Sequence, residues 1–211
     1  MFRERSKAIL GVIVGLLVIL VVAGIFFVKK YYVDALDMSV SEYYEGISWG
    51  ISGDRAKAHL RSKGFTVIRD EVFFIFKVEN YGGAEGANGT GALLFDEEGK
   101  VREVMITFEA DGEYGIGEEM LDKVAHSIEK AMDEAFDKKI DKEEMKEILM
   151  EMEGGPSNED KIDALLREDI YGEWMSDKSY VSVRYYKGNK IYLTYNNIED
   201  EYGQYLLSID K

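Results

Sequence analysis

Between Lys7 and Lys29 the chain runs for 21 residues without a charged side chain, and no other feature constrains its fold as strongly. At a rise of about 1.5 Å per residue, a helix of that length just crosses the hydrocarbon layer of a bilayer. Arg3, Arg5 and Lys7 precede the run, while Lys29, Lys30, Tyr31 and Tyr32 follow it as snorkelling and interfacial side chains. The expectation is a single-pass transmembrane helix over residues 8–28, a short tail at 1–7, and the lipid bilayer as partner of that segment. A cleaved signal peptide competes with this reading, because Val22 and Gly24 follow a shorter apolar core. Ile25, Phe26, Phe27 and Val28 then extend the run beyond a cleavage site. Three basic residues before the run against two after it favour the N-terminus inside, which puts the C-terminal domain outside the cytoplasm. Gly11 and Gly15 have the small-xxx-small spacing that lets membrane helices pack closely, so a homodimer through this face competes with ordinary membrane composition.

The remaining 181 residues suffice for one substantial domain or two small ones. The whole chain carries a formal charge of −15, and since its first 30 residues hold five basic and one acidic side chain, the rest carries −19. That field repels phosphate, and no lysine and arginine stripe is present to displace counterions, so nucleic acid is excluded as a partner. With no cysteine, disulfides, thiolate metal sites and a cysteine nucleophile are excluded as well.

Periodicity gives an α+β class, with the transmembrane helix followed by helix-plus-antiparallel-meander units and an amphipathic helical insertion. A polar and aromatic juxtamembrane segment fills residues 29–50. The first α+β unit, 51–110, starts with a helix from Ser52 to Gly64 and continues with strands at 65–69, 72–79, 92–95 and 101–109. In the second of these, Val72, Phe74, Phe76 and Val78 share one face, with Phe73 and Ile75 on the other. The insertion, 111–156, places Met120, Leu121, Val124, Ile128, Met132 and Phe136 at helical spacing and begins a second helix near Asp141. After Gly154-Gly155-Pro156 the second unit, 157–211, opens with a helix from Ser157 and has strands at 180–186, 191–196 and 204–209. The two units read as a duplicated helix-then-hairpin.

The 180–196 hairpin decides where a site could lie. A two-residue turn at Gly188-Asn189 would mix apolar and polar side chains on each face. A three-residue loop groups Val181, Val183 and Tyr185 with Leu193 and Tyr195. It leaves Tyr180, Arg184, Tyr186, Tyr192 and Thr194 on the opposite face as an aromatic and arginine platform for a peptide or sugar. The hydrophobic pattern favours this second register. Strand propensity of tyrosine, with a helix covering the rings, accounts for the same residues without a ligand.

Other motifs carry less chemistry. Phe136-Asp137 and Ile140-Asp141 with Glu144 imitate an EF-hand, but the loop from Asp137 to Glu144 has only eight residues where the motif needs twelve. The glycine-rich stretch 82–91 lacks a P-loop lysine and reads as a mobile hairpin loop; within it Asn88-Gly89-Thr90 is a glycosylation sequon. His59 and His126 have no metal-ligand spacing. No catalytic residue, metal site or cofactor is expected.

Gly46-Ile-Ser-Trp-Gly50-Ile-Ser-Gly-Asp54, the helix with Leu60, and Gly64-Phe65 before a meander resemble the helix–hairpin domains of small envelope proteins. These are the SmpA/OmlA (BamE)-like and β-lactamase-inhibitor-like families, and the resemblance spans residues 46–109 and more loosely 157–196. It implies a non-catalytic protein-binding module of the cell envelope, contacting another envelope protein. The alternatives are a carboxylate-based envelope hydrolase and a cytoplasm-facing regulatory domain.

Overall fold

The computed structural model describes residues 36–70, 73–111, 113–152, 170–186, 188–199 and 204. They form one eight-stranded antiparallel sheet with three α-helices. In chain order these are α1 (Gly53–Ser62), β1 (Val67–Asp70), β2 (Phe74–Val78), β3 (Gly89–Phe95), β4 (Val101–Glu109), α2 (Glu118–Ala135), β5 (Lys138–Ile140), α3 (Lys142–Met152), β6 (Ile170–Met175), β7 (Ser179–Tyr186) and β8 (Lys190–Asn197). The strand order is β1-β2-β3-β4-β8-β7-β6-β5. Each half is a helix followed by four antiparallel strands, with α3 set between β5 and β6 in the second half, and the halves join where β4 pairs antiparallel with β8.

This arrangement corrects the expected fold class. In place of separate meander units divided by a helical insertion there is one continuous sheet, and α2 and β5 belong to its second half. The duplication therefore matches α1 with α2. The helix expected from Ser157 lies outside the described residues, as does the strand expected at 204–209 apart from Gln204, which is helical.

The membrane reading is corrected too. No helix among the described residues is long and apolar enough to cross a membrane. The longest of them, α2, has 18 residues but is amphipathic, with Glu118 and Glu119 in its first turn and only one face buried. Residues 8–28, including Gly11 and Gly15, lie outside the described residues. The described structure therefore gives no support to a single-pass anchor, a bilayer partner or an outward orientation.

The main core lies between one sheet face and α1 with α2. Alternation along the strands points Phe74, Phe76, Leu93, Val104, Ile106, Phe108, Val181, Val183, Leu193 and Tyr195 to this face, all buried. Ala56 and Leu60 of α1 and Leu121, Val124, Ile128 and Met132 of α2 close over them at helical spacing. Residues 36–50 join the same core through Met38, Tyr44 and Ile47. They are tied down by the Leu36 N–H donating to Ser127 Oγ at 2.7 Å and the Trp49 indole donating to Ser179 Oγ at 2.8 Å.

A smaller core sits on the other face, at the β5–β7 end. Ile140, Met175 and Tyr180 are buried there together with Met145 and Ile148 of α3, which lies against β6. β6 is thus covered on both sides, with Trp174 in the main core and Met175 in the smaller one. Trp174 also anchors α2, its indole N–H donating to Asp133 Oδ1 at 2.6 Å.

Candidate functional site

Strand pairing aligns one residue from every strand across the face opposite α1 and α2. The row runs Arg69, Ile75, Ala92, Met105, Thr194, Ser182, Glu173 and Ile140. Glu173 and Ile140, beneath α3, are buried, whereas Ile75, Ala92, Met105, Thr194 and Ser182 are half-exposed and Arg69 is exposed. Among the described residues no helix covers this face from β2 to β8. A neighbouring row brings Lys77, Thr90, Thr107, Tyr192 and Arg184 into line, and Leu94 and Glu103 flank the central row on its other side.

Short side chains dominate the centre of this face. Its middle is built from Ala92 and from the hydroxyl side chains Thr90, Thr107, Thr194 and Ser182, which are short and stand upright on the pleat. Larger apolar groups, Ile75, Leu94 and Met105, lie among them. The central row from Ile75 to Ser182 carries no charge; Lys77, Glu103 and Arg184 lie in the rows on either side of it, and Lys190 Nζ sits 2.5 Å from Glu109 Oε1 and 5.4 Å from the centre of the Tyr192 ring. The hydrogen bond to Glu109 holds the Lys190 ammonium above its ordinary range despite partial burial.

The β7–β8 register is the one the hydrophobic pattern favours. Tyr186 pairs with Lys190 across a three-residue loop, Arg184 with Tyr192, and Ser182 with Thr194. Arg184, Tyr186, Tyr192 and Thr194 therefore share the open face, and the Tyr186 and Tyr192 rings meet edge to face at 5.9 Å. Tyr180 points to the same side but is only 7% exposed, in the smaller core next to Met175, so the structure separates it from the other four. Sequence reasoning missed Ile75, Leu94 and Met105 as members of this surface. The signal was present in the polar-facing alternation of β2 to β4, but without the β4–β8 pairing nothing linked those positions to Tyr192 and Thr194.

The other motifs fall into structural roles. Asp141 Oδ1 accepts from the N–H groups of Glu143 and Glu144, both at 3.0 Å, which makes it the cap of α3. The 82–91 loop is pinned: Asn80 Oδ1 accepts from the Gly86 N–H and Asn88 Oδ1 from the Asn80 N–H. His59 Nε2 lies 2.9 Å from the Glu45 carbonyl, and His126 Nδ1 lies 2.8 Å from the Asp122 carbonyl on the same helix. Among the described residues no three His, Cys, Asp or Glu side chains are grouped to hold a metal ion. Glu173 is the one buried acid among the described residues, at 3% exposure, and it lies under α3 rather than in a cleft.

Comparison of the chain with protein-family models, curated proteins and solved structures found no match.

Proposed function

We propose that the protein is a non-catalytic module that binds a polypeptide partner through the open sheet face from β2 to β8. One observation carries this reading: a half-exposed sheet face whose central row is apolar and hydroxyl-bearing, with aromatic and charged side chains in the rows on either side of it. That is the anatomy of a protein interface, in which an apolar centre is ringed by polar groups. Catalysis asks instead for a concave site with acids or bases of displaced pKa.

Charge identifies the kind of partner. Residues after the first 30 carry −19, so a partner with an apolar centre and a basic rim is steered toward this surface, and an acidic one is repelled. The resemblance to β-lactamase-inhibitor-like helix–hairpin domains, which implies protein binding, supports the same reading.

Photo-crosslinking in the full chain tests it. A benzophenone side chain placed at Met105 is expected to give one discrete adduct with a protein bearing a basic surface patch, whereas the same group at the exposed Lys130 on α2 gives none. The Met105 adduct should disappear in the Ile75→Glu variant while the thermal unfolding curve stays in place. Adducts from Lys130 alone, or a Met105 adduct indifferent to Ile75→Glu, would overturn the proposal.

A further inference from the structure

On the helix-covered side of the sheet a cleft of about 260 Å³ opens between residues 39–46 and the turn at Tyr81 and Gly82, with Lys63 at its rim. Its floor is made of three tyrosines from distant parts of the chain. The Tyr81 and Tyr195 hydroxyls are 2.5 Å apart. The Tyr44 ring lies parallel to that of Tyr81 at 6.5 Å and tilted to that of Tyr195 at 6.0 Å. All three rings are buried, packed among Phe65, Phe76 and Phe108.

The backbone beside two of these tyrosines is unusual. Glu45 and Asn80, with φ of 52° and 51°, are the only described non-glycine residues in the left-handed region. Each sits in or next to a short 3₁₀ turn, one carrying Tyr44 and the other Tyr81. Asparagine tolerates that conformation and glutamate resists it, so the Glu45 backbone is held there by its surroundings.

Counting protons shows what the floor offers. A pair of hydroxyls holds two protons and shares one between them, which leaves the second to point elsewhere, and Tyr44 adds a third. Among the described residues none of these phenols has another hydrogen-bonding partner. Burial raises all three phenols above their ordinary range, so they remain protonated donors. The rim is already neutralised, because Lys63 Nζ pairs with Glu45 Oε2 at 2.9 Å. A cationic ligand therefore meets no free counter-charge and only the positive ends of phenol O–H groups, and an anionic one meets the negative field of the domain.

We infer that this cleft binds an uncharged amide, whose carbonyl oxygen accepts hydrogen bonds from Tyr44 and from the Tyr81–Tyr195 pair. The site lies on the face of the sheet opposite the interaction surface and stands independently of that reading.

The test uses the full chain with ¹³Cζ-labelled tyrosine, titrated with N-acetylglycinamide and followed by NMR. Saturable shifts at Tyr44, Tyr81 and Tyr195 are expected, and Tyr44→Phe, which keeps the ring, should weaken binding about tenfold. Acetate and tetramethylammonium, titrated in parallel into the unaltered chain, should bind more weakly than the amide. Absent or non-saturating shifts, an affinity unchanged in Tyr44→Phe, or a preference for either ion would overturn the inference.

Discussion

Replacing Gly91 by alanine gives a sharp test of how the main core is packed. Gly91 faces Phe76 across the β2–β3 pair, and a Cβ built on it would lie 2.3, 2.4 and 2.9 Å from three atoms of that ring. Ordinary contact begins near 3.4 Å, so the ring must move by about 1 Å. It has nowhere to go: Phe76 is fully buried, with Phe65 at 5.4 Å, Phe74 at 5.9 Å and Tyr44 at 6.0 Å between ring centres. Overpacking of this kind costs about 1–3 kcal/mol, and the severity of the overlap places it at the upper end. Loss of glycine's backbone freedom returns roughly 0.5–1 kcal/mol, which leaves a net destabilisation of about 2 kcal/mol. With a urea slope of about 2 kcal/mol/M, the midpoint should fall by about 1 M without a change in slope. Phe76→Leu removes the clash, so the double variant should be less destabilised than the sum of the singles by about 1 kcal/mol or more. A Gly91→Ala protein within about 0.5 kcal/mol of the parent, or strict additivity with Phe76→Leu, would refute this packing argument.

Three further outcomes follow from the same contacts. Asp70 is held below its ordinary 3.8 by hydrogen bonds from Lys57 and Arg61, so the unfolded chain protonates this group first. Its stabilising contribution is whole above that value and is lost as pH falls through the lower folded value, and Asp70→Asn should flatten the acid limb of a denaturation-versus-pH series. Burial raises the phenols of Tyr44, Tyr81 and Tyr195 above 10.0. Stability should therefore be intact below pH 10 and fall above it by about 1.4 kcal/mol per pH unit for each phenol ionised in the unfolded chain alone, with a shallower slope in Tyr195→Phe. Asp133→Ala leaves the buried Trp174 indole without its acceptor at 2.6 Å, which should cost about 1–3 kcal/mol in urea unfolding and alter the tryptophan emission.

The strands with one face toward helices were legible because they alternate. In β4, Val104, Ile106 and Phe108 point one way and Glu103, Met105 and Thr107 the other, and the same rule chose the β7–β8 register over the apparent Gly188-Asn189 turn. Helix α2 was legible from its 3.6-residue stripe, and α1 from Ser52 and Gly64 at its two ends. The β6 strand was not, because it is covered on both faces and its Gly172-Glu173-Trp174-Met175 run shows no period of two. The pairing of β4 with β8 was equally hidden, since it joins segments about 90 residues apart through backbone hydrogen bonds that any sequence can make. Half of the proposed interaction surface depended on that pairing. The tyrosine cleft lay further out of reach: Tyr81 and Tyr195 are 114 positions apart, and each alone reads as a core aromatic.

The proposal of a continuous binding face stands on the β4–β8 junction, and a chain without cysteine offers a direct measurement of it. Met105 and Thr194 are directly opposed across that junction. Cysteines at these two positions should oxidise to an intramolecular disulfide in the folded full-length protein, because opposed residues of an antiparallel pair have Cα atoms about 4.5–5.5 Å apart, within the span a disulfide bridges. Cysteines at Met105 and Tyr192, one same-face step along β8, should remain reduced under the same conditions. Crosslinking of the second pair in preference to the first, or of neither, would contradict the shared sheet and the surface built on it.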